Sequence, residues 1–97
     1  MATYVTLVNF TEQGVRNIKD TVNRANAAKQ AGSALGVQIK EVLWTQGQYD
    51  MVIISESSDE IAANAMILNV VKAGNIRTQV MRAFTAAEMQ KILDKVQ

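Results

Sequence analysis

Apolar positions along the chain alternate between a strand-like period of two and a helix-like spacing of three and four, and the switches mark the elements. Residues Thr3 to Phe10 read as a strand, because Tyr4, Val5, Thr6, Leu7 and Val8 are β-branched, aromatic or leucine. Apolar residues there occur on both parities, which predicts cover on both faces. Thr11 is a good N-cap, and Val15, Ile18, Val22 and Ala25 then follow at helical spacing. One helix is expected to run to about Leu35, with Gly36 as its stop. Glu12/Arg16 and Asp20/Arg24 lie four apart on what reads as its solvated side and can pair.

Val37 to Thr45 reads as the second strand and Asp50 to Glu56 as the third, joined by a short connector containing Gly47. The run Met51-Val52-Ile53-Ile54 points to a central strand buried on both faces. A second helix, capped by Ser57 or Ser58, ends at Gly74 and places Ile61, Ala65, Leu68 and Lys72 on one side. Ile76 to Phe84 reads as the fourth strand. Thr85 and Glu88 have the spacing of a capping box and open a terminal helix, with Met89, Ile92, Leu93 and Val96 expected inward.

This β-α-β-β-α-β order is that of the ferredoxin-like split unit, a four-stranded antiparallel sheet with an extra C-terminal helix. Residues 1–97 form a single α+β domain on this reading. Two helices cover only one face of such a sheet. If the hairpin is symmetric about residues 47 and 48, Trp44 opposes Met51 and Val42 opposes Ile53, while Leu43 and Val52 pair on the reverse face. Both faces are then apolar, which predicts self-association. Face-to-face packing of two sheets would give a dimeric α/β barrel, a homodimer or a higher homo-oligomer. The competing expectation is that the terminal helix folds over the open face.

Composition removes several function classes. The chain has no histidine and no cysteine, which takes away His-based triads, thiol chemistry, disulfides and most zinc sites. No metal and no cofactor is expected, and the five methionines fall mainly at core-like spacing. Net charge is +1 from ten basic and nine acidic residues, with no Lys/Arg run, so no nucleic-acid partner is expected. Arg16, Lys19, Arg24 and Lys29 read as a solvated helix face because acids are interleaved with them. The longest apolar stretch is far short of a bilayer span, and the first residues lack a basic segment followed by an apolar one. A cytoplasmic protein without membrane or secretory segments is the expectation.

Four stretches together resemble the GYD-domain family: Ala2 to Thr11, Trp44-Thr45-Gln46-Gly47-Gln48-Tyr49-Asp50, Gly74-Asn75-Ile76-Arg77-Thr78, and Arg82-Ala83-Phe84. The Gly47, Tyr49 and Asp50 element is the one that gives that family its name. The resemblance implies a fold of the dimeric α/β-barrel group. Family members commonly carry Pro-Asp at the start of the second helix, where this chain has Ser58-Asp59; either residue serves a helix start.

Candidate ligand-binding residues are Tyr49, Asp50, Trp44 and Arg77. Each has a bland reading beside it. Gly47 and Asp50 suit turn chemistry, and Trp44 suits packing. Arg77 and Arg82 sit with Glu41 and Glu56 at strand positions that can simply face water, and the two arginines have opposite parity. Three functions are consistent with the residues, and catalytic residues are not assigned. One is a self-associating domain binding a small molecule or a protein at the inter-subunit sheet cavity. A second is a cofactor-less enzyme, an isomerase or a monooxygenase-like proton abstractor, with Asp50 or Glu41 as base and Tyr49 as donor. The third is a structural assembly subunit.

Overall fold

All four expected strands form. The computed structural model describes residues 1–97. Strands β1 (Ala2–Phe10), β2 (Val37–Trp44), β3 (Met51–Ser57) and β4 (Ile76–Ala83) make one antiparallel sheet in the order β2-β3-β1-β4. Helices α1 (Glu12–Arg16) and α2 (Thr21–Ala34) join β1 to β2, α3 (Glu60–Val71) joins β3 to β4, and α4 (Ala86–Leu93) follows β4. The hairpin register is the one its symmetry predicts: Trp44 opposes Met51, Val42 opposes Ile53 and Leu43 opposes Val52. A register shift between Ile39 and Glu41 leaves Lys40 without a partner, the mark of a β-bulge on an edge strand.

The first helix is not continuous. It breaks at Asn17, whose φ of −101° and ψ of 27° are not helical, and a 3-10 turn over Ile18–Asp20 follows before α2 begins. Asparagine is a weak helix former, and here its carbonyl accepts from the Asp20 amide and from Arg24 Nη1 at 2.8 Å. The break changes which side of the helix meets the sheet. Val15, Ile18 and Val22, the periodic apolar positions, are exposed. The residues of α2 turned inward are instead Thr21, Arg24, Ala25, Ala28 and buried Gly32. Glu12 and Arg16 pair at 3.2 Å as expected; Asp20 and Arg24 do not, because Arg24 reaches back to Asn17.

Two other local expectations, the cap of α3 and the inward side of the terminal helix, are corrected. The N-cap of α3 is Asp59, whose carboxylate accepts from the amides of Ile61 and Ala62; Ser57 Oγ accepts from the Asp59 amide just before it. The side of α3 carrying Ile61 and Leu68 points to solvent, and Ala63 and Met66 are the residues buried. The terminal helix has its capping box, Thr85 with Glu88, but its apolar side does not turn inward: Met89, Ile92, Leu93 and Val96 stay 37–66% exposed. The helix leaves the sheet rather than covering its open face. The radius of gyration is 14.6 Å, against about 12.5 Å for a compact chain of this length.

The core lies between the sheet and α2 and α3. Tyr4, Val37, Ile39, Ala63 and Met66 form its cluster. Because the wall of α2 over the sheet is mainly alanine, α2 and α3 do not close the layer. A half-open groove of about 290 Å³ remains, with Ala25, Ala28 and Ala31 on one side and Ile39, Val42 and Ile53 on the floor. The start of α1 is fixed to the α3–β4 connection. Thr11 Oγ1 donates to the Gly74 carbonyl at 2.6 Å, and a Cβ on Gly14 would come within 2.0 Å of the Asn75 carbonyl oxygen. Only glycine permits that approach.

Candidate functional site

The open face of the sheet is built from the residues whose parity turns them away from the helices. The pairing aligns them in two rows across the strands. One row is Leu43, Val52, Leu7 and Gln79; the next is Glu41, Ile54, Val5 and Met81. Six of the eight are apolar. The centre of this band falls on β3 and β1, where Val52, Ile54, Val5 and Leu7 are only half-buried. At the edges Leu43 is 48% and Met81 40% exposed. The band is thus one continuous apolar strip with polar ends, Glu41 on β2 and Gln79 on β4.

The β2–β3 connection sets the residues at the end of that strip. Gly47 has φ of 128°, a conformation that other residues rarely adopt. Thr45 closes the loop twice: its amide donates to the Asp50 carbonyl at 2.8 Å and its hydroxyl to the Tyr49 carbonyl at 2.6 Å. Asp50 then joins the loop to β1. Its amide donates to the Val8 carbonyl at 2.8 Å, and its Oδ2 accepts from the Phe10 amide at 2.8 Å. One carboxylate oxygen is therefore committed to holding the end of β1, a strand distant in sequence.

Tyr49 extends across β1 to β4, where its hydroxyl bonds the Gln79 side chain at 3.2 Å. Arg77 lies on the same face as Gln79, two positions earlier in β4 and opposite Asn9; it is exposed and joins none of the ion pairs. Trp44 belongs to the other side: its Nε1 donates to Thr21 Oγ1 of α2 at 3.0 Å. The four candidate residues therefore divide. Tyr49 and Arg77 share the open face, Asp50 anchors the strand ends between the faces, and Trp44 fastens the hairpin to α2.

The remaining charges sit apart from this face or at its rim. Arg82 is on the helix side of β4, opposite Tyr4, with its guanidinium 4.3 Å from the centre of the Phe84 ring and 3.7 Å from Glu88. The opposite parity of Arg77 and Arg82 holds. Lys40 and Glu56 form a surface pair at 3.6 Å, and Glu41 is exposed. Gln79 was not among the residues read from the sequence. Its part depends on β1 lying between β3 and β4, which no local pattern carries. Chemically, the open face offers a phenol and a guanidinium beside an apolar strip, a combination suited to binding an apolar surface or a molecule with a polar end.

The profile of the GYD domain family matches residues 4–93. The chain belongs to the GYD domain family. A search of curated proteins finds no match. Among solved structures, this GYD domain is similar to TTHA0845 from Thermus thermophilus, with a TM-score of 0.55 and 24% identity, over 89% of this chain and 96% of that one. It is similar to FFRP-DM1, with a TM-score of 0.56 and 19% identity, over 87% and 100% of the two chains. It is also similar to part of a homoserine dehydrogenase from Thiobacillus denitrificans, with a TM-score of 0.51 and 17% identity; 84% of this chain matches only 16% of the enzyme. At these identities the likeness is one of fold. No helix of the GYD domain is long and apolar enough to cross a membrane.

Proposed function

We propose that this GYD domain is a self-associating binding module of ferredoxin-like topology, in which two copies pack open face to open face as a dimeric α/β barrel. The observation that carries the reading is the apolar strip of Leu43, Val52, Leu7, Ile54, Val5 and Met81, continuous across all four strands and uncovered by the chain's own terminal helix. A strip of this extent, with polar ends, is what an interface requires. A two-fold axis relating the two sheets would set each strip against its copy. Tyr49 and Arg77 would then sit at the rim of the space between sheets, where a small molecule or a protein segment would be held. Asp50 and Trp44 support that rim through the Phe10 amide and Thr21.

Light scattering after size exclusion tests the assembly. The native chain is expected to run at twice its mass or more at micromolar concentration, and Val52→Lys is expected to run as a folded monomer. A native chain that is monomeric under those conditions would overturn the proposal. Native mass spectrometry of the same sample distinguishes a binding module from a purely structural subunit, since only the first retains a small molecule or partner between subunits.

A further inference from the structure

The groove on the helix side is mostly apolar, with Thr21, Arg24, Asn69 and Asn75 as its polar lining. Ile39, Val42 and Ile53 form its floor and the alanines of α2 one wall, and Arg24 is the one charged residue that lines it. That arginine is unusual for a surface helix. It belongs to none of the ion pairs, its Nη1 is used by the Asn17 carbonyl at 2.8 Å, and its Nη2 is buried without any hydrogen-bond partner. A buried guanidinium nitrogen left unpaired is costly, and the group that satisfies it best is a carboxylate.

We infer that the groove binds a small aliphatic monocarboxylate, its chain among Ile39, Val42, Ile53 and the alanines and its carboxylate on the Arg24 guanidinium, which turns to bring the enclosed Nη2 to it. One cation with one free nitrogen fits a single negative charge. A doubly charged phosphate would bring an uncompensated charge into apolar surroundings. At about 290 Å³ the space lies at the lower end of ligand sites, so the acid is of medium chain length. This site lies on the opposite side of the sheet from the open-face strip and does not depend on self-association.

The test is a titration of the isotope-labelled protein with octanoate and with octanol, followed by amide chemical shifts. Octanoate is expected to saturate and to move the amides of α2, β2 and β3 around the groove. Octanol is expected to bind at least about tenfold more weakly, the loss corresponding to one charge-assisted hydrogen bond. Arg24→Gln should bring octanoate down to the level of octanol. Ala31→Phe, at an exposed position on the groove wall, should abolish binding of both while the spectrum stays dispersed. Equal binding of octanol, an unchanged affinity in Arg24→Gln, no saturable shift, or shifts confined to Leu7, Val52 and Tyr49 on the open face would each overturn the assignment. Should Arg24→Gln fail to fold, the ratio of octanoate to octanol in the native protein and the Ala31→Phe variant decide it.

Discussion

On the helix side of the sheet the buried residues are small or polar as often as they are large. Thr6, Ser55 and Ser57 lie beside Tyr4, Val8 and Ile39, under a helix faced with alanine and Gly32. On the other side the sheet carries Leu43, Val52, Leu7, Ile54, Val5 and Met81, and little covers them. Only 12 of 97 residues are buried, while apolar side chains as large as Trp44, Leu68 and Phe84 are exposed, so much of the apolar area that could stabilise the fold lies outside the chain's own core. The two faces are built differently. The helix side holds the protomer together with modest packing and leaves a groove, and the open side leaves its apolar area without cover from this chain.

The largest expected effect tests whether the faces differ in this way. Met66 is 6% exposed and packs between α2 and the sheet, so Met66→Ala should cost about 2–5 kcal/mol in chemical denaturation. Leu43, nearly half exposed on the open face, should behave oppositely. Leu43→Ala at high dilution should change protomer stability by no more than about 0.5 kcal/mol, yet reduce the dependence of Tm on protein concentration. Equal losses at the two positions under dilution would erase the distinction between the faces.

A smaller effect concerns the polar content of the helix side. The Tyr4 hydroxyl is buried with no partner, next to a void of about 40 Å³ that Thr6, Ser55 and Asn64 also line. Tyr4→Phe removes a polar atom that has nothing to bond, and should raise stability by about 1 kcal/mol. A fall in stability on this change would mean that the hydroxyl is satisfied, and that the helix side is better completed than its packing suggests.

Much of this architecture could be read from the residues. Strand positions, the hairpin register and the capping box at Thr85 follow from local rules, because each is settled by neighbours within a few residues. The helix faces could not be read in the same way. Periodicity placed Val15, Ile18, Val22 and Ala25 on one continuous helix, but the chain breaks at the non-helical Asn17, the first three are exposed, and Arg24 turns from the solvated side to the groove. The terminal helix shows the same limit. Its amphipathic pattern is correct, but a pattern says that an apolar side seeks cover and not which chain supplies it. Of the candidate residues, Asp50 and Trp44 find their partners, Phe10 and Thr21, far along the chain and beyond local reasoning. The meeting of Tyr49 with Gln79 needed the order of strands across the sheet.

The smallest effect concerns how α4 is held where it leaves the covered side. Glu88 Oε1 accepts from the Thr85 amide at 3.0 Å, and its other oxygen lies 3.7 Å from Arg82. Its carboxyl is held below the ordinary range, first by the Thr85 backbone amide, against the opposing cost of desolvation, with further help from the Thr85 side chain and the Arg82 charge. A lowered pKa in the folded chain means that this support is complete above the unfolded value of about 4.3 and is lost as pH falls through the lower folded value. Amide exchange in α4 should therefore speed up, beyond the intrinsic pH dependence, as pH falls below about 4.3. The core amides of β1 and β3 should show no matching change. Glu88→Gln retains a side chain that can close the capping box, so it should keep α4 formed at neutral pH while removing the acid-side change; Glu88→Ala should fray the first turn at every pH. If Glu88→Gln leaves the acid response of α4 intact, that response belongs to another carboxylate, and the helix is attached to the sheet by contacts other than its cap.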